Sequence, residues 1–202
     1  MDSQLQPCGW LSSFMTINYI AQGYSNIITG NYDNIPRFNK LDTMLAFDGV
    51  VGRMSSTVFH LKNGNIYNIN GKSYFIMGGG FSIDKQRRTP GVTWWPEEMP
   101  NHEEYKLGID SLNKVNHKVD YLLTHTCSTS EFDDICDEFG TRLLKIAGEE
   151  ELRDYLEVVI QETQYLRHYY GHFHRSDTTN IDGIIHRVLG VGELWEEREY
   201  EE

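Results

Sequence analysis

Three short apolar runs in this chain each stop at a polar turn that carries an asparagine or a histidine. They are "SNIIT" before "GNYDN", "VDYLLTH" running into "TCS", and "LRHYY" before "GHFHR". Short apolar runs bounded by turn residues read as strands rather than helices. A chain built this way puts its polar chemistry on loops at strand ends, where a rigid sheet can hold it.

The remaining segments fill in around these strands. "STVFHLKNGNIYNING" predicts a hairpin, strand to strand through an Asn-Gly turn. A second turn, "NINGKS", leads to "YFIMGGG", a buried strand ending in three glycines that let backbone come close to something. "PEEMPNHEEYKLGIDSLNK" carries helix-start signals. "EEELRDYLEVVIQE" puts Leu152, Leu156, Val159 and Ile160 on one helical face. "WLSSFMTINYIAQ" has mixed apolar spacing that best fits a helix, roughly residues 9 to 22. "IDGIIHRVLG" predicts a late strand. Helices interleaved with strands indicate an α/β chain with mixed strand directions, read as one domain.

Charge and cysteines bound the function. The net charge of −12 argues against direct nucleic-acid binding and leaves room for a basic partner or a cation pocket. Much of it comes from "GELWEEREYEE", which reads as a solvated tail. Three cysteines without a CxxC fit a reducing compartment. No apolar run reaches the ~20 residues of a membrane span. The first residues have no basic n-region or long apolar stretch, so the default location is the cytoplasm.

The sharpest local feature is "YYGHFHRSD". A glycine and two alternating imidazoles, His172 and His174, suit either a metal clamp or ordinary loop histidines. Lys85, Arg87 and Arg88 in "SIDKQRR" could grip a phosphate or an acidic partner, or be tied up in internal ion pairs. Trp94 and Trp95 read as packing. His102, His117, His168 and His186 have no partners at ligand spacing. Cys127 lies near His125, but nothing nearby in sequence would make it a thiolate.

The segments "TGNYDN", "THTCS" and "YGHFHR" occur in this order, each closing an apolar strand. With "GGGFSIDKQRR" and "WWPEE", they resemble the calcineurin-like metallophosphoesterases of bacterial and phage type, over roughly residues 9 to 190. The resemblance implies a two-sheet β-sandwich flanked by helices as one domain over 1–190, followed by an acidic tail, 191–202. It also implies divalent metals (Mn, Fe or Zn) that activate a water for attack on a phosphate ester. Carried over by position, Asn31, His125 and His172 would be ligands of the second metal and His174 a ligand of the first. Tyr32 and Asp33 would stand where the family has its catalytic His-Asp/Glu pair. A phenol exchanges protons poorly near neutral pH, though Tyr32 could still hydrogen-bond a phosphate.

The family's opening Asp-x-His and Gly-Asp-x-x-Asp motifs are absent, and Asp2 is at most a remnant of the second. At most one metal site is therefore well supplied with ligands. The expectation is an N-terminally truncated phosphoesterase fold with impaired catalysis that acts by binding a protein, conceivably as a phage accessory or anti-defence inhibitor. The alternative is an active phosphoesterase on a phosphorylated substrate, alone or completed by another chain, or a piece of a longer enzyme. Missing strands would bare a sheet edge, which a second copy or another protein would cover.

Overall fold

The computed structural model describes residues 15–19, 24–138, 148–191 and 193. Among the described residues, eleven strands form two mixed sheets. The first runs in the order β1 (Met15–Tyr19), β2 (Tyr24–Ile28), β5 (Val58–Leu61), β4 (Gly49–Arg53), β3 (Thr43–Ala46). The second runs β10 (Asp177–Ile181), β11 (Ile184–Val188), β9 (Arg167–Tyr170), β8 (Tyr121–Thr124), β7 (Lys72–Met77), β6 (Ile66–Ile69). The helices are α1 (Ile35–Phe38), α2 (His102–Lys114), α3 (Thr129–Glu138) and α4 (Glu150–Glu162).

Strand periodicity explains how the layers meet. Along β7, Ile76 joins an apolar cluster with Ile28, Val51, Phe59 and Leu61 of the first sheet, while Phe75 and Met77 join a second cluster. That second cluster contains Leu112 of α2 and Leu152, Leu156 and Val159 of α4. Tyr121 and Leu123 of β8 face one cluster and Leu122 the other. Alternate residues thus bury against opposite layers, which is why these strands read as continuous apolar runs. Helix α2 starts where its residues dictate. Asn101 accepts from the backbone of Glu103 and Glu104, and Glu104 accepts from Asn101 N–H, a capping box.

Two expectations are corrected. The helix over residues 9 to 22 is not formed at Met15–Tyr19, which is β1, paired antiparallel with β2. In that stretch Met15, Ile17 and Tyr19 alternate with Thr16 and Asn18, and the edge of β2 offers backbone partners that local spacing cannot reveal. β2 is thus paired within the chain, and β1 is the outermost strand on that side of the sheet. The second correction concerns "STVFHLKNGNIYNING". Its halves, β5 and β6, lie in different sheets, so Asn63–Gly64 is a crossing rather than a hairpin turn. The hairpin is β6–β7, turning through Asn70 and Gly71, both at positive φ.

Strands β7, β8, β9 and β11 are mutually parallel, so their C-terminal ends lie along one edge of the second sheet. The end of β2 joins them there, because Gly79 N–H donates to Thr29 O at 2.8 Å. A Cβ at Gly78 would fall 2.4 Å from that same carbonyl oxygen. Gly78→Ala is accordingly expected to lower unfolding stability by about 1–3 kcal/mol, read from the urea midpoint; an unchanged midpoint would show that the junction tolerates separation.

A candidate cation site at the strand ends

Asn31, His125 and His172, far apart in sequence, come together at this edge. Asn31 follows β2, His125 follows β8, and His172 follows β9. Their backbones are tied to one another: His125 N–H donates to Met77 O, and Gly171 N–H donates to His125 O. The turn itself is unusual. The histidines, not the glycine, take left-handed backbone conformations, with φ of 68° at His172 and 53° at His174. Such conformations are costly for these residues and concentrate at functional turns.

Polar contacts orient both rings. His125 Nε2 lies 3.1 Å from Asn31 Oδ1, an acceptor. His172 Nε2 lies 3.3 Å from Glu149 Oε1, another acceptor. In this arrangement His125 carries its proton on Nε2, while the His172 contact is an ion-pair distance. Both Nδ1 atoms are buried and have no hydrogen-bond partner. The rings stand edge to face, 5.2 Å apart. Gly80 makes room for them: a Cβ there would meet His125 Cδ2 at 3.1 Å and His172 Nδ1 at 3.3 Å. Burial pulls the His125 imidazole well below its ordinary range, and neighbouring His172 and His174 act the same way. Burial lowers His172 too, against the pull of Glu149.

The carboxylates around the rings are engaged. Glu149 accepts from Phe81 N–H at 2.9 Å and from Arg153 Nη1 at 3.2 Å. Ser82 donates to Glu98 at 2.6 Å and accepts from Asn31 Nδ2 at 3.2 Å, which fixes the amide with its oxygen toward His125. Asp33 is buried, accepts from Gly30 N–H at 2.6 Å, and is pushed up to about 7 by burial.

These donors fit one cation. Two ligands about 2.1 Å from a single ion stand roughly 3.0–3.4 Å apart; Asn31 Oδ1 and His125 Nε2 have that spacing, so an ion would take the place of the hydrogen between them and leave the His125 proton on Nδ1. They do not supply a second. His174 is exposed. Among the described residues, the one group of three His, Cys, Asp or Glu ligand atoms within 4.8 Å of one another is Glu131, His168 and His186. Asp2 lies outside the described residues.

The other predicted residues sit on the loop beside the cluster. Arg88 pairs with Asp84 at 2.7 Å, and its guanidinium lies 4.0 Å over the Tyr32 ring. Tyr32 is thus held by Arg88. Lys85 Nζ lies 4.1 Å over Phe81, and Arg87 is exposed. Trp95 is buried as expected. Cys127 is fully buried, with its thiol pushed well up by burial and by Glu131 and Glu149, so it is no nucleophile. Of the acidic tail, Glu193 is described and is bound rather than free: it pairs with Arg187 and accepts from Gly190 N–H.

Sequence reasoning missed Glu149 and the Glu131–His168–His186 group, a buried set that could hold a metal ion. His168 and His186 have no partner at ligand spacing in the sequence, yet each is within 2.8 Å of the same Glu131 oxygen.

No family model matches the chain, and no curated protein or solved structure matches it. No helix among the described residues is long and apolar enough to cross a membrane.

Proposed function

We propose that this chain is a metallophosphoesterase-type scaffold whose strand-end site has shrunk to one cation position, and that it acts by binding a protein rather than by turning over phosphate esters. The observation that supports this reading is the ligand-like spacing of Asn31 Oδ1 and His125 Nε2 next to the His172 ring, whose Nδ1 is buried and unpartnered, while His174 is exposed. Asn31, His125 and His172 would hold the ion, with Glu149 fixing the His172 ring from behind. Such an ion polarises a phosphoryl oxygen or lowers the pKa of a bound water.

What the chain's own residues add is mostly restraint. Tyr32, where the family has an imidazole, lies against Arg88 and offers a phenol in place of a proton relay. The Arg88 charge is spent on Asp84 instead of facing a substrate. Purified protein with manganese is expected to show aryl phosphate hydrolysis no greater than its His172→Ala variant. Turnover above that variant would instead support the active phosphoesterase.

The binding role draws support from the far edge of the first sheet. Edge strand β3 exposes Met44 and Leu45, the latter 80 % exposed. An open apolar edge suits a partner that adds a strand, and the net charge of −12 favours a basic one.

A further inference from the structure

The second buried group stands apart from the strand ends. His168 and His186 are register partners on the parallel strands β9 and β11, and Glu131 reaches them from α3. Glu131 Oε1 lies 2.8 Å from His168 Nδ1 and 2.6 Å from His186 Nδ1. All three side chains are 3 % exposed or less.

The hydrogens around this group can be placed. Thr124 Oγ1 lies 2.5 Å from Thr126 O and 2.8 Å from His168 Nε2. A carbonyl only accepts, so the single hydroxyl hydrogen of Thr124 goes to Thr126. His168 Nε2 must then carry a hydrogen of its own and donate it to Thr124. A neutral His168 with its proton there turns a bare Nδ1 lone pair toward a carboxylate oxygen 2.8 Å away. That contact is repulsive. Two arrangements remove the repulsion: a second proton, held on His168 as an imidazolium or on Glu131 as a carboxylic acid, or a cation among the three ligand atoms.

We propose the cation: Glu131, His168 and His186 form a buried divalent-metal site of the zinc class, with two Nδ1 atoms and one carboxylate oxygen as protein ligands. Three features favour it over the second proton. Two imidazoles and a carboxylate are a common zinc donor set with one position left open. Each far nitrogen already meets a hydroxyl, His168 at Thr124 and His186 at Tyr165, 3.3 Å away. Metal-bound imidazoles are held by this kind of outer hydrogen bond. A cavity of about 40 Å³ adjoins the group, lined among others by Glu131, Asp134, Asp177 and His186. It has room for a water as fourth ligand and gives a route in from the acidic surface. Tetrahedral zinc would require the ligand atoms to open by about half an ångström. Such an ion would tie α3 to β9 and β11, and its residues are independent of those in the strand-end reading.

The test uses the full chain, stripped with a chelator and titrated with cobalt(II) and then with zinc against a chromophoric chelator. The wild type and His125→Ala are expected to give the intense visible bands of tetrahedral cobalt. Glu131→Gln, nearly isosteric, is expected to weaken zinc binding by about 100-fold or more. Absence of the cobalt bands in the wild type, or unchanged zinc affinity in Glu131→Gln, would overturn the site and leave the protonated network. Should Glu131→Gln not fold, the imidazole ¹⁵N spectrum of the wild type decides. Zinc must shift Nδ1 of His168 and His186, and unmoved signals would refute the proposal.

Discussion

Glu149→Ala is expected to cost about 3–5 kcal/mol of folding stability, the largest effect of any single change considered. Glu149 is 0 % exposed and its partner Arg153 is 4 % exposed. Removing the carboxylate strands the guanidinium beneath α3, against the Phe132 ring at 4.1 Å. It also releases Phe81 N–H and takes away the carboxylate beside His172 Nε2. An uncompensated buried charge costs far more than a lost contact, so the source of the loss can be tested. Glu149→Ala combined with Arg153→Met should recover most of the stability lost in urea unfolding. If the double variant is as unstable as the single one, the charge is not the cause and the loss lies in the bonds to Phe81 and His172.

Acid is expected to weaken the fold through His60, by roughly 3 kcal/mol between pH 6.5 and 4. His60 sits on β5, 6 % exposed, its ring 4.8 Å from Phe38. Neither ring nitrogen has a hydrogen-bond partner. Burial pulls its pKa from 6.5 down to about 4, with Lys62 acting in the same direction. The sign follows from which state takes the proton first. Below pH 6.5 the unfolded chain protonates this histidine while the folded chain does not. The stability is therefore complete above 6.5 and drains away as the pH falls to about 4. His60→Leu removes the titration and both unpaired nitrogens. Its stability advantage over wild type should grow by about the same amount from pH 7 to pH 4. An advantage that stays constant across that range would show that His60 is not the titrating group.

What could be read from the residues, and what could not, follows the range of the forces involved. Strands β2, β7, β8 and β9 were legible because they bury both faces and so appear as unbroken apolar runs. Helices α2 and α4 were legible from a cap and an apolar stripe. β1 was misread because a five-residue strand at a sheet edge owes its state to a neighbour, β2, and not to its own spacing. The hairpin β10–β11 carried its signal in Asp182–Gly183, both at positive φ, and only its second strand was anticipated. In the hairpin β3–β4 the left-handed positions are Phe47 and Asp48, neither of them glycine, so the turn left little trace.

The sites divide the same way. Asn31, His125 and His172 lie side by side because each follows a strand that ends along the same side of the molecule. Glu149 stands first in a row of three glutamates, and nothing local distinguishes the buried one from its exposed neighbours. Glu131 lies 37 positions from His168 and 55 from His186. Only the parallel pairing of β9 with β11, which no spacing rule encodes, puts them on one face.

The central claim is that the strand-end cluster keeps one cation position and no more. Calorimetric titration of manganese(II) into the wild type and into His172→Ala tests it most directly. The account predicts that His172→Ala binds one manganese fewer per chain than the wild type, whatever the separate Glu131 group takes up. Loss of two ions in His172→Ala, or binding that the substitution leaves unchanged, would contradict it.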